Sequence, residues 1–219
     1  MVVVIDEATL RMVKGFFRAL RNPVRIVVFV TRGHCLYCNE TVEIVEKLAS
    51  ISPELIRVEK CECEVSSPEA RSYKVDRHPA IVLRGEKEYW VRYFGIPSGY
   101  EFGSLVEDIV DVSRGEVELE ESVKAAILAI SKPVHIKVFV TPTCPYCPSA
   151  VRTAHKFAIV NTHIMADAVE SLEFPDLARK YRVYAVPKVV INDVVEFEGA
   201  LPERVFADKV LQALKVSEK

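Results

Sequence analysis

Two pairs of cysteines carry the chemistry open to this chain. Cys144-Pro145-Tyr146-Cys147 and Cys35-Leu36-Tyr37-Cys38 each set two thiols two residues apart. An apolar strand-like run precedes each pair, Ile136 to Val140 in one case and Ile26 to Val30 in the other, and a helix-like pattern follows. A C-x-x-C at such a junction reads as a redox dithiol. The spacing puts Cys144 at the N-terminus of its helix, where the dipole and unpaired N–H groups favour the thiolate. Cys147 lies about one turn later, within reach of a disulfide. One thiolate attacks a substrate disulfide and the second resolves the mixed disulfide. A zinc site of four thiolates is the alternative; placement of both pairs at strand-to-helix junctions argues against it. His34, beside Cys35, either stabilises its thiolate when protonated or is a surface loop residue. Cys61 and Cys63 share one face of a strand and are expected to be separate buried core thiols, a direct disulfide between them being strained.

The elements that position these pairs occur twice. Residues 23–31 read PVRIVVFVT and residues 133–141 read PVHIKVFVT, identical at seven of nine positions. Tyr73-Lys74-Val75 and Tyr181-Arg182-Val183 are a second echo, each ending four residues before a proline, Pro79 or Pro187. A long repeat in two copies implies duplicated domains rather than a solenoid. Leu10, Val13, Phe17 and Leu20 recur at helical spacing, as do Leu119, Val123, Ile127 and Ile130. After each C-x-x-C helix come a strand, a short helix, a hairpin and a closing helix, with Asn192-Asp193 a favourable two-residue turn. The order α-β-α-β-α-β-β-α is therefore expected twice. The boundary falls near Arg114-Gly115, dividing the chain into 1–115 and 116–219.

With 29 basic and 31 acidic residues the net charge is −2, and no basic stripe argues for nucleic acid. Met1 to Ile5 is too short for a signal segment, and no apolar run reaches membrane-spanning length. The reading is a cytoplasmic protein without a membrane partner, in which cysteines serve catalysis or metal binding rather than a structural scaffold.

The order of elements, with C-x-x-C after the first strand and a proline opening the hairpin, resembles the thioredoxin fold. CLYC followed by CPYC in two fused units resembles the archaeal and thermophile protein disulfide oxidoreductases, a glutaredoxin-like family. The resemblance implies an α/β fold of two tandem thioredoxin-like units, each a mixed four-stranded sheet flanked by helices. It implies reduction, oxidation and isomerisation of protein disulfides in the cytosol, with Cys144 and Cys35 attacking and Cys147 and Cys38 resolving, the CPYC site leading. No cofactor beyond the cysteine pairs is implied, and the partners are protein dithiols and disulfides with a thioredoxin-reductase-like flavoenzyme upstream. His78-Pro79 and Val186-Pro187 match the cis-proline beside the thioredoxin active site and are the expected substrate-binding residues; Gly95 and Gly199 match the glycine after the hairpin. Two departures stand out. Thioredoxin has a buried Asp six residues before its first active cysteine, where this chain has Phe29 and Val138, and the second of the paired glycines that bind glutathione in glutaredoxin is Ala200 here. The other readings are a peptide-binding or chaperone module, and a dedicated electron carrier to a peroxidase.

Overall fold

The computed structural model describes residues 5–216; Met1 to Val4, within the stretch weighed as a signal segment, lie outside the described residues. The expected element order is present in both halves. The first contains α1 (Glu7–Phe17), β1 (Val24–Val30), α2 (Cys38–Ile51), β2 (Ile56–Glu62), α3 (Pro68–Ser72), β3 (Ala80–Arg84), β4 (Trp90–Phe94) and α4 (Tyr100–Arg114). The second repeats it as α5 (Glu121–Leu128), β5 (Val134–Val140), α6 (Cys147–Val160), β6 (Ile164–Glu170), α7 (Pro175–Lys180), β7 (Lys188–Ile191), β8 (Val195–Glu198) and α8 (Glu203–Val216). Among the described residues no helix is long and apolar enough to cross a membrane.

Local chemistry sets the element ends. The Asp6 carboxylate accepts from Thr9 N at 2.7 Å and caps α1. Gly115, at φ +65°, closes α4 in the left-handed conformation that glycine adopts freely. Asn192 and Asp193 both take positive φ, as the tight turn between β7 and β8 demands. Strand β1 is buried on both faces from Ile26 to Val30 and β5 from Val138 to Val140, which is why these stretches read as unbroken apolar runs.

The strands form one eight-stranded sheet in the order β2-β1-β3-β4-β6-β5-β7-β8. Each half supplies four strands joined by one parallel and two antiparallel pairings, but the two sets are not separate sheets. Parallel pairing of β4 with β6, from Trp90↔Met165 to Phe94↔Val169, joins them. The main core lies on one face, beneath α1, α2, α4, α5, α6 and α8. A smaller cluster on the other face is covered by α3, α7 and the segments after them. There Tyr73 packs on Phe29 and Tyr181 on Phe139, at 5.2 and 5.3 Å between ring centroids. The two sequence echoes thus meet in space: the Tyr of one lies against the Phe of the other.

Candidate active site

The strand-to-helix turns after β1 and β5 carry the two C-x-x-C pairs. In each pair the first cysteine is the more accessible: Cys35 is half-buried and Cys38 buried, and Cys144 keeps 7% of its surface while Cys147 keeps none. The first cysteine of each pair is thus the one better placed to meet an incoming substrate. Cys35 and Cys38 are joined as a disulfide, with Cα atoms 5.6 Å apart, and Cys144 and Cys147 are free thiols. Among the described residues no group of three or more His, Cys, Asp or Glu side chains is placed to hold a metal, so the four-thiolate zinc arrangement is not assembled.

The helix starts within one residue of the sequence reading, which places it over roughly 148–160. Tyr146 is the N-cap and Cys147 the first residue of α6, with Pro148 next. Cys144 stands in the preceding turn, its N–H bonded to Thr141 O at 3.2 Å. Pro145 and Tyr146 complete this turn, so Cys144 lies three residues ahead of the helix start and not at its tip. His34 is exposed and Tyr146 projects into solvent, whereas Tyr37 is half-buried.

Both prolines singled out by the resemblance follow cis peptide bonds, His78-Pro79 and Val186-Pro187. Each is tied to its glycine: Gly95 N donates to Pro79 O at 2.9 Å and Gly199 N to Pro187 O at 2.8 Å. The second site is closed around its proline, for the Cys144 thiol reaches Val186 O at 3.6 Å. Among the described residues Cys35 makes no matching bond to His78. The His78 ring is half-buried, its Nε2 lacks a partner, and burial holds its pKa below the usual imidazole range despite Glu64 nearby.

Counting back six residues from each cysteine lands on opposite faces of the sheet, because the first loop is one residue longer. Phe29 belongs to the small cluster and Val138 to the main core. The strand-matched residue in the first half is Val28, which like Val138 is fully buried. No strand carboxylate faces either dithiol at these positions.

A buried carboxylate from the other half of the molecule acts electrostatically on the second dithiol. Glu101, in the first turn of α4, is 3% exposed, and both of its carboxylate oxygens are buried without a hydrogen-bond partner. Burial pushes its pKa up to about 7, and Ser104 offsets only part of this. Its charge is felt at Cys147, whose thiol is held well above the ordinary value by burial first and by its hydrogen bond with Cys144 second, with the backbone of Thr141 pulling the other way. The first half is docked here through α4: Tyr100 N donates to Pro142 O at 3.0 Å. Gly99 lies so close that a Cβ would come within 2.1 Å of the same oxygen. Sequence reasoning missed Glu101 because it lies 46 residues from Cys147 in another unit; the one signal was its place just past Gly99 in an otherwise amphipathic helix start.

Comparison with known proteins agrees with this geometry. A thioredoxin domain family model matches residues 134–212. The solved structure of a protein disulfide oxidoreductase from Aeropyrum pernix K1 superposes with a TM-score of 0.89 at 34% identity, over 98% of this chain and 95% of that one. A structure of the alkylhydroperoxide reductase protein AhpF from Enterococcus faecalis V583 gives 0.86 at 26% identity, over 94% and 98%. A Bacillus subtilis NADH dehydrogenase is 26% identical over 87% of this chain, and the corresponding alkyl hydroperoxide reductase protein of Staphylococcus epidermidis is 29% identical over 70%. The chain spans only 35% and 28% of the lengths of these two curated relatives. The match to the Aeropyrum protein runs end to end and includes both units, and the chain belongs to the protein disulfide oxidoreductase family.

Proposed function

We propose that the chain reduces, oxidises and isomerises disulfides of protein substrates in the cytosol, with one dithiol in each of the units 1–115 and 116–219. Cys144 and Cys35 attack; Cys147 and Cys38 resolve. The observation that carries this reading is the second dithiol itself: a partly accessible thiol against the Val186 carbonyl, a fully buried thiol behind it, and a partnerless carboxylate acting on the latter.

In the reducing direction the Cys144 thiolate displaces one sulfur of the substrate disulfide, forming a mixed disulfide and releasing the first substrate thiolate. Glu101, which makes no direct hydrogen bond to Cys147, takes its proton through an intervening water. The new Cys147 thiolate attacks Cys144 Sγ, closing the Cys144–Cys147 disulfide and releasing the second substrate thiolate. The substrate has gained two electrons, and the enzyme dithiol has lost them. A thiolate cannot donate a hydrogen bond, so ionisation of Cys144 frees the Val186 carbonyl to accept from an extended substrate backbone. Val186 with Pro187, and His78 with Pro79, are the residues assigned to hold that backbone. The cysteine pairs carry the electrons without a further cofactor, and a thioredoxin-reductase-like flavoenzyme returns the spent dithiols to the reduced state.

Reduction of insulin by dithiothreitol is the test. The fourfold variant Cys35→Ser, Cys38→Ser, Cys144→Ser, Cys147→Ser should lose turnover. Retained protection of clients from aggregation without any turnover in the native protein would make it a peptide-binding module instead. The likeness to the alkyl hydroperoxide reductase proteins favours one other reading, an electron carrier to a single peroxidase. Mixed disulfides trapped by Cys147→Ser in cell extract separate the two: many partners fit the general oxidoreductase, one peroxidase the carrier.

A further inference from the structure

We propose that Cys61 and Cys63 form a third dithiol–disulfide couple, separate from both C-x-x-C pairs and open to small disulfides and dithiols. The expectation of two separate core thiols is corrected by the structure, where their sulfurs are paired, with Cα atoms 5.7 Å apart. Residues i and i+2 of an extended chain point to the same face, which brings the two thiols side by side. Both are half-buried rather than buried, packed on the rim of the cluster that contains Phe29 and Val75.

The duplication supplies the control. Phe29 is in register with Cys61, and Phe139 with Val169; Cys63 N donates to Val30 O, and Ser171 N to Val140 O, both at 3.0 Å. The second half thus fills the same two places with Val169 and Ser171, so the fold does not require sulfur there. The difference between the places is exposure. Strand β6 is internal, paired on both sides, and Val169 is 2% exposed; β2 is the outer edge of the sheet. Thiols occur in the copy that solvent can reach.

This couple is not an extension of the first dithiol. Lys60 and Glu62 point to the face whose cavity also contains Cys35 and Cys38, so the alternating Cys61 and Cys63 lie on the opposite face. The two pairs thus face opposite sides of the sheet, and the couple takes its electrons from an external dithiol. Oxidation removes two protons and two electrons from Cys61 and Cys63 and forms one S–S bond; a small disulfide takes up both and leaves as two thiols.

The test uses the fourfold variant with serine at residues 35, 38, 144 and 147, equilibrated across ratios of oxidised to reduced dithiothreitol and then alkylated. The ratio of oxidised to reduced protein should rise tenfold for each tenfold rise in reagent ratio, independent of total reagent. Oxidised protein should be two hydrogens lighter and carry no alkyl group. Two thiols that stay alkylatable at every ratio would overturn the proposal, as would a pair that never reduces until the protein is unfolded. Should the fourfold variant not fold, isotope-coded differential alkylation of the native chain, read at the peptide containing residues 61–63, decides by the same outcomes.

Discussion

A buried carboxylate without hydrogen-bond partners is costly when charged, and Glu101 is such a group. Its pKa is raised from 4.5 to about 7, so the folded state holds a proton that the unfolded chain releases between these values. Stability from this group is intact below pH 4.5 and is lost as pH rises toward 7. Glu101→Gln should therefore melt at higher temperature than the native protein at pH 8, by an amount equivalent to ~2–3 kcal/mol, with the gap closing near pH 4.5. The same substitution should slow closure of the Cys144–Cys147 disulfide on the order of 100-fold and remove the rise in rate around pH 7. Stopped-flow kinetics of the isolated second site, with Cys35 and Cys38 replaced by serine, gives both readouts. The four cysteines of the two C-x-x-C pairs were legible as candidates because their spacing is local. Glu101 was not, since a lone acidic residue among 31 acquires meaning only when tertiary packing strips its water away.

At the level of elements, α4 belongs to the first unit but its N-terminus shapes the second site. Gly99 takes φ +60° against Pro142, a conformation and a contact that a Cβ would spoil. Gly99→Ala should cost about 1–3 kcal/mol of stability in chemical denaturation and lower exchange at Cys144, while titration of the Cys35–Cys38 pair stays where it was. Equal loss at both dithiols would contradict the assigned docking. Most elements could be read from the sequence because each is announced by short-range pattern: helical periodicity in α1 and α5, apolar runs in β1 and β5, the Asn192-Asp193 turn. The place of Cys144 ahead of α6 could not, because it is decided by how the loop closes on Thr141.

The whole molecule is held as one sheet by a seam between β4 and β6. Arg92 donates to both carboxylate oxygens of Asp167 at 2.7 and 2.8 Å and to the carbonyls of Tyr73 and Lys74, and His135 joins Asp167 at 2.5 Å. Burial alone would raise the Asp167 pKa, but Arg92 and then His135 hold it well below the carboxylate range. Its contribution is therefore full above pH ~4 and falls away in acid. Removing one partner leaves a buried charge alone, so Arg92→Ala should destabilise by about 3–5 kcal/mol. Arg92→Met with Asp167→Leu should recover most of that and flatten the acid limb of the stability profile, measured by urea unfolding from about pH 2 to 7. The duplication showed two units, but not their edge-to-edge joining. Register between Trp90 and Met165 is set by complementary packing across 75 residues of chain, and no local pattern encodes it.

The central claim is that Cys144 is the attacking sulfur and Cys147 the resolving one. Mass spectrometry of the Cys147→Ser variant after reaction with a disulfide-bonded peptide tests it directly. One peptide should remain attached at Cys144, and the adduct should be absent from Cys144→Ser. An adduct only at Cys35, or an unmodified Cys144 under conditions that support turnover by the native protein, would contradict the account.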